Sequence, residues 1–114
     1  MRREKCPCCG YPTLQTRGDF EICILCDWED ENHDELSSAE VFGGPNGDYS
    51  LEEARNNFQK NFNMYREKND FDAIIVGKKK LIKAYEGWEK DKQANRKEKW
   101  NEIRKLENEL NLLS

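Results

Sequence analysis

Four of the five cysteines form two Cys-x-x-Cys pairs near the N-terminus, and this spacing constrains the fold more than any other feature. Cys6 pairs with Cys9 and Cys23 with Cys26, and thirteen residues separate the two pairs. A two-residue spacer lets one tight turn direct two sulfur atoms at a common point. Two such turns complete the tetrahedron of thiolates that a structural zinc site requires. We therefore predict one zinc ion held by these four cysteines.

Two other uses of paired cysteines fit the sequence less well. Disulfide bonds are typical of secreted proteins, but no apolar signal-peptide core follows residues 1–5. The longest apolar stretches, 22–26 and 73–76, are far too short to span a membrane. Thioredoxin-like redox chemistry needs a Cys-x-x-Cys at a helix start within a βαβ pattern, which surrounds neither pair. We expect a cytoplasmic protein with reduced thiols and no membrane partner.

The composition is too polar for one large hydrophobic core. Of the 114 residues, 37% are charged and 36% are hydrophobic, and the net charge is −4. A small module of this kind needs a metal or a partner to offset the entropy that folding costs. We predict a metal-stabilised head over residues 1–65 and a basic, amphipathic helical tail over residues 66–114.

The segment between the two cysteine pairs has the pattern of a β-hairpin. Bulky and polar residues alternate over 11–15 and 20–23, and the turn between them contains Gly18, which tolerates a positive φ. The pattern of residues 1–28 thus predicts a zinc ribbon, in which a β-hairpin carries two Cys-x-x-Cys knuckles. The expected fold class is a small α+β protein, with this ribbon followed by an acidic loop and two to three α-helices.

An acidic loop follows, with ten carboxylates and no Lys or Arg between residues 27 and 53. The sequence Ser-Leu-Glu-Glu at 50–53 is a capping box that begins a helix. Apolar residues then recur every three or four positions, namely Leu51, Ala54, Phe58, Phe62 and Tyr65. Arg55 lies opposite this stripe or at its edge, where it is placed to bind a carboxylate of the acidic loop.

The tail has two apolar sets with helical spacing. The first extends from Phe71 to Trp88. The second is a short heptad seam that needs a partner face, and we predict it as the interaction surface: Trp100, Ile103, Leu106, Leu110 and Leu113. The seam can dock on the first set, on a second copy or on a partner, and we favour a helical hairpin. Gly87 and residues 90–95 either break the helix or lie within one long helix.

Several short motifs together resemble the cysteine-rich CPCC family of small, mostly bacterial proteins. They run from Cys6 to about Phe62, and they are Cys-Pro-Cys-Cys-Gly at 6–10, Arg-Gly-Asp-Phe-Glu-Ile-Cys at 17–23, Cys26 with Trp-Glu-Asp at 28–30, Gly-Gly-Pro-Asn at 43–46 and Ser-Leu-Glu-Glu-Ala-Arg-Asn-Asn-Phe at 50–58. The resemblance implies a zinc-ribbon-like head and no particular activity. The tail beyond about Tyr65 lies outside it.

The function that these features favour is a non-enzymatic, zinc-stabilised protein-interaction module. Its helical tail would bind a protein partner or a second copy, and a sharper version is an inhibitor or immunity-type protein whose acidic loop blocks a basic site. The runner-up is a nucleic-acid-binding zinc ribbon that uses a Lys-rich helix, with Lys78, Lys79, Lys80 and Lys83. It is less favoured because the acidic loop and the negative net charge repel phosphates.

The least favoured alternative is a small metal-dependent hydrolase that uses His33 and the carboxylates of residues 27–35. A four-cysteine site leaves no open position for water, so catalysis at that metal is disfavoured. Cys8 lies between two predicted ligands, and we expect it to be a small buried side chain that points away from the metal. It could also exchange with Cys9 as a ligand.

Overall fold

The structure, a computed structural model, describes residues 2–32, 34–91 and 95–113. The chain divides into two compact units, an N-terminal unit over Arg2–Asn69 and a C-terminal unit over Asp70–Ser114.

Three α-helices and one short 3-10 helix make up the regular structure of the described residues. The N-terminal unit contains the 3-10 helix Glu35–Ser37 and helix α1, Leu51–Asn61. The C-terminal unit contains α2, Asp72–Lys90, and α3, Arg96–Leu113. None of the described helices combines the length and the apolar character that a membrane-spanning segment needs.

The predicted β-hairpin is wrong, and with it the α+β zinc-ribbon fold class. The described residues are essentially all-helical and contain no strand or sheet, only two isolated bridges, Glu4 with Leu14 and Ile22 with Glu29. Each bridge closes one Cys-x-x-Cys turn on itself. Segments 11–15 and 20–23 therefore pair with the chain that flanks their own turn and not with each other.

Side chains satisfy the backbone donors that a hairpin would have paired. The Glu21 carboxylate accepts from the Gln15 N–H at 3.0 Å, and the buried Asp30 carboxylate accepts from the Gly18 N–H at 2.7 Å. Phe20 has a left-handed φ of 60°, which turns the backbone away from a strand conformation. Local bonds from carboxylates to the backbone thus compete successfully with a two-stranded ladder.

Helix α1 begins at the residue that the capping box predicts. It ends before the last residue of its apolar pattern. The Ser50 side chain accepts from the Glu53 N–H at 3.0 Å. The helix ends at Asn61, and Phe62 is a left-handed cap with φ 62°. The Asn61 amide donates to the Tyr65 carbonyl at 3.0 Å, so an asparagine side chain binds backbone that lies past the helix end. The prediction that the helical stripe continues through Tyr65 is therefore wrong.

Helix α1 holds both cysteine turns through hydrogen bonds. Arg55 Nε donates to the Pro7 carbonyl at 2.8 Å, and the Met64 N–H, just after the helix, donates to the Cys26 carbonyl at 2.8 Å. The apolar core of the unit includes five side chains that are at most 2% exposed, Leu14, Leu25, Trp28, Leu51 and Met64. The positions of the cysteines thus depend on residues far along the chain.

The acidic loop is fastened to the second cysteine turn by one asparagine. Asn46 is only 5% exposed. Its Oδ1 accepts from the Glu29 N–H at 2.9 Å, and its Nδ2 donates to the Glu29 carbonyl at 2.7 Å and to Glu31 Oε2 at 2.8 Å. The amide therefore pairs with the backbone as a neighbouring strand would.

We expect Asn46→Asp to destabilise the N-terminal unit by about 1–3 kcal/mol, because a carboxylate cannot donate to the Glu29 carbonyl and would face the Glu31 carboxylate. Asn56→Asp is the matched control at an exposed position of α1, and it should change the free energy of unfolding by no more than about 0.5 kcal/mol. Hydrogen exchange over residues 2–69 measures both effects. Equal protection in the two variants would contradict the prediction.

Helices α2 and α3 pack against each other as an antiparallel pair. The rings of Trp88 and Trp100 lie 5.1 Å apart, and a Cβ placed on Gly77 would lie 3.3 Å from Leu110 Cδ1. Between them, the hydroxyl of the fully buried Tyr85 donates to Glu107 Oε2 at 2.5 Å. The tail is thus two helices in one hairpin and not one long helix.

Candidate metal centre

Both Cys-x-x-Cys turns fold in the same way. In the first knuckle, residues 6–10, the Gly10 N–H donates to the Cys6 carbonyl at 2.8 Å. In the second knuckle, residues 23–27, the Asp27 N–H donates to the Cys23 carbonyl at 3.0 Å. Gly10 and Asp27 are both left-handed, with φ 81° and 68°, and Asp tolerates this conformation better than most residues. Equivalent turns direct two side chains each toward one point.

The four cysteines of the predicted zinc site come together at that point. The Sγ atoms of Cys6, Cys9, Cys23 and Cys26 all lie within 4.8 Å of one another. Across the knuckles, Cys6 lies 3.6 Å from Cys26 and Cys9 lies 3.7 Å from Cys23. In the described part of the chain, no other group of three or more His, Cys, Asp and Glu side chains converges in this way. The cluster can hold a metal ion.

The cluster is almost closed to solvent. Cys6, Cys23 and Cys26 are at most 1% exposed, and Cys9 is half-buried. All four are free thiols. Cys8 is also buried, but its sulfur is not one of the four. Cys8, one of the two residues between Cys6 and Cys9, is thus not part of the cluster.

The surroundings of the cluster shift the pKa values of three of its thiols in different directions. Burial opposes ionisation of Cys23, but hydrogen bonds from Cys26, Cys6, Cys9 and Thr13 outweigh it and hold the pKa of Cys23 well below its ordinary value. The hydrogen bond with Cys23 raises the pKa of Cys9, and burial raises the pKa of Cys26. A metal ion that binds all four sulfurs must therefore displace protons.

Thr13 is the side chain outside the four cysteines that bonds to the sulfur of Cys23. It is buried, and its Oγ1 lies 3.0 Å from Cys23 Sγ. A thiolate offers no proton, so the hydroxyl must be the donor once Cys23 is ionised. The cysteine spacing gave no indication of this contact, because Thr13 reaches the second knuckle from between the pairs. Such bonds orient thiolate ligands and adjust their basicity.

Arg55 binds the acidic loop, as the sequence predicted. Its Nη2 lies 2.5 Å from Glu35 Oε1, and this hydrogen bond holds the pKa of Glu35 below its usual value. Because its Nε also binds the Pro7 carbonyl, the guanidinium links the 3-10 helix to the first knuckle.

Among the described residues, no three of the carboxylates predicted for hydrolysis converge on one point. His33 lies outside the described residues. Nearby carboxylates are engaged separately in structural bonds: Asp27 with Lys68, Asp30 with Arg17, Asp34 with the N–H groups of Leu36 and Ser37, and Glu35 with Arg55. Each carboxylate thus holds a different segment of the loop.

The Lys-rich run on α2 is only partly available to a ligand. Lys78 is buried, and its Nζ lies 2.9 Å from the equally buried Asp70 Oδ2. Lys79, Lys80 and Lys83 are exposed. One of the four predicted phosphate contacts is therefore used inside the protein.

The predicted interaction seam lies mainly inside the C-terminal unit. Trp100, Ile103 and Leu110 are buried, Leu106 is half-buried, and Leu113 is 50% exposed. The buried face also includes Glu107, which apolar periodicity counts as polar and which bonds to Tyr85. Most of the seam thus has an intrachain partner in α2.

Comparison with known proteins agrees with the motifs. A profile of the family described as Cysteine-rich CPCC matches residues 4–71, which is more than half of the 114-residue chain. Searches among curated proteins and among solved structures gave no significant match. The matched segment contains both knuckles, the acidic loop and α1. The chain therefore belongs to the cysteine-rich CPCC family.

Proposed function

We propose that the chain is a non-enzymatic protein-interaction module whose N-terminal unit is stabilised by one zinc ion on Cys6, Cys9, Cys23 and Cys26. The convergence of the four sulfurs carries this proposal. In a tetrahedral site with zinc–sulfur bonds of about 2.3 Å, neighbouring sulfurs lie about 3.8 Å apart. The two sulfur–sulfur separations across the knuckles, 3.6 and 3.7 Å, are close to that value, and all four sulfurs lie within 4.8 Å of one another.

A structural role for the zinc follows from the donor set and from the fold around it. Four thiolates fill a tetrahedral site and leave no position for water or substrate. In its described residues, the N-terminal unit has one α-helix and no sheet, so hydrogen-bonded regular structure contributes little to its stability. The metal supplies the cross-link that a small, polar unit needs. A reducing compartment such as the cytoplasm suits it, because the thiols must stay reduced.

A protein partner is favoured over nucleic acid by the charge distribution. Residues 27–53 carry ten carboxylates and no Lys or Arg, which attracts basic protein surfaces and repels phosphates. Lys78, one of the four lysines that would bind nucleic acid, is paired with Asp70. The inhibitor version, in which the acidic surface blocks a basic site on a target, is the sharper form of this proposal.

Two measurements test the function together. Elemental analysis of protein purified without added metal should give about one equivalent of zinc. Purification of the tagged chain from its host should recover a protein and no nucleic acid. Metal-free protein would overturn the zinc assignment. Submicromolar binding of nucleic acid at physiological salt, lost when Lys79, Lys80 and Lys83 are neutralised, would overturn the choice of partner.

Thr13 provides a finer test of the zinc site. Thr13→Val keeps the shape of the side chain and removes the donor to Cys23, so we expect zinc affinity to fall by about 10–100-fold. Competition with a chromophoric chelator measures the affinity. Thr13→Ser should retain most of it, and Thr16→Val, at an exposed threonine of the same loop, should leave it unchanged. Equal affinities for Thr13→Val and the native protein would contradict a role for this hydroxyl.

A further inference from the structure

The N-terminal unit has a pocket of about 330 Å³ next to the second knuckle. We call it the acidic pocket. Its walls combine apolar, aromatic and carboxylate side chains and include Ile22, Asp27, Glu29, Tyr49, Met64 and Tyr65. The turn at residues 45–47 completes it, and no Lys or Arg is among the described residues that line it. A concave, mostly apolar surface with a few polar groups is the usual form of a binding site.

Negative charge in the pocket is only partly compensated. Asp27 Oδ2 lies 3.3 Å from Lys68 Nζ. Within the described residues, the Glu29 carboxylate makes no hydrogen bond or ion pair, although its backbone is held at both ends by Asn46. Burial raises the pKa of Tyr65, and the charge of Asp27 adds to that effect. The Glu29 carboxylate is therefore the uncompensated charge among the described residues of the pocket wall, and it stands on a fixed backbone.

The aromatic walls already accept cations from this chain. The Arg66 guanidinium lies 4.2 Å from the ring centroid of Tyr49, and Lys68 Nζ lies 5.2 Å from that of Tyr65. The two rings meet edge to face, with centroids 5.8 Å apart. Tyrosine faces attract ammonium and guanidinium groups, and the attraction grows when the cation is desolvated.

Two exposed apolar residues, which we call the apolar rim, belong to the pocket wall or lie close to it in the sequence. Ile22, which lines the pocket, is 63% exposed, and Phe20, two residues earlier in the chain, is 57% exposed. The left-handed φ of 60° at Phe20 costs about 1 kcal/mol or more for a residue with a Cβ. Because the Phe20 ring is exposed, it gains little free energy from burial that could offset the cost of the backbone conformation. Strained, exposed aromatic residues are typical of binding surfaces.

We propose that the acidic pocket binds an arginine or lysine side chain of a protein partner, and that Phe20 and Ile22 cover an apolar residue next to it in the partner's sequence. The methylene stem lies on the apolar wall and the charged head meets Glu29. The pocket does not gather three or more His, Cys, Asp or Glu side chains within the described residues, so its geometry favours an organic cation over a metal ion. The proposal rests on the proposed function, because it specifies the chemistry of the partner.

The test uses zinc-loaded full-length protein and two short synthetic peptides. One contains leucine next to arginine, and the other has citrulline in place of the arginine, which keeps the shape and removes the charge. Titrations are followed by amide NMR in about 0.15 M salt, where long-range attraction is screened. We expect the arginine peptide to shift the amides of Ile22, Glu29 and Tyr65 and to bind about tenfold or more tightly than the citrulline peptide.

Variants locate the interaction. Glu29→Gln should lower the affinity for the arginine peptide by about tenfold, because a charge-assisted hydrogen bond is lost. Glu52→Gln, at an exposed carboxylate of α1, is the matched control and should bind as the native protein does. Ile22→Ala should lower the affinity for both peptides, since it removes part of the apolar rim.

Three results would overturn the proposal. The first is equal affinity for the two peptides, and the second is a set of amide shifts confined to residues outside the pocket. The third is self-association of the protein that depends on Glu29. If Glu29→Gln abolished that self-association, the occupant of the pocket would be a second copy of the chain. Zinc content is measured on the same samples. Loss of peptide discrimination in zinc-loaded protein refutes the pocket alone, whereas absence of zinc refutes the proposed function.

Discussion

Replacing Cys23 by Ser is expected to unfold the N-terminal unit and leave α2 and α3 helical. Structural zinc contributes about 10–16 kcal/mol in small zinc-binding peptides, and a whole domain is stable by only about 5–15 kcal/mol. Cys23 is fully buried, and hydrogen bonds from the other three cysteines and from Thr13 hold its pKa below its ordinary value despite that burial. Zinc content and the dispersion of amide NMR signals over residues 2–69 measure the loss.

Cys8→Ser is the matched control for this variant. Cys8 is buried like the ligands, at 7% exposure, but its sulfur is outside the group of four. The variant should keep about one equivalent of zinc and a folded N-terminal unit. Loss of zinc from Cys8→Ser together with retention in Cys9→Ser would move the ligand assignment from Cys9 to Cys8.

Ile103→Ala is expected to destabilise the α2–α3 hairpin by about 2–5 kcal/mol, because it leaves a cavity at a fully buried position. The matched control is Leu112→Ala on the same helix, where the side chain is 88% exposed and the change should stay within about 0.5 kcal/mol. Hydrogen exchange within α2 and α3 measures both, and zinc content should not change. Equal protection in the two variants would mean that Ile103 is not a core residue in solution.

Sequence reasoning was most successful where one local spacing determines one local geometry. Each Cys-x-x-Cys turn is closed by its own hydrogen bond, which sets the positions of the two sulfurs of that turn relative to each other. The Ser50 cap likewise needs only the next three residues to begin α1, although the reciprocal bond of the capping box is not formed because the Glu53 carboxylate binds Arg66. These features depend on few residues close in sequence, so the sequence alone predicts them.

The hairpin prediction failed because alternation over four or five residues is a weak signal that local polar bonds can override. The Glu21, Asp30 and Asn46 side chains each replace a ladder partner of the backbone, and hydrophobic periodicity does not register them. The burial of Lys78 and Glu107 was not predicted, for a related reason. Each is a charged residue on a buried face, and its partner, Asp70 or Tyr85, lies at a separation that no local pattern encodes.

The hydrogen bonds of Asn46 also determine how fast this residue deamidates. Asn46 is followed by Gly47, and an asparagine before glycine deamidates when the glycine nitrogen attacks the side-chain carbonyl. That attack requires a side chain free to rotate, and here both amide atoms are bonded to the Glu29 backbone. Folded molecules should therefore deamidate slowly and unfolded ones quickly. Since aspartate at this position destabilises the N-terminal unit, each deamidated molecule unfolds more readily than before, and the fraction deamidated records the time spent unfolded.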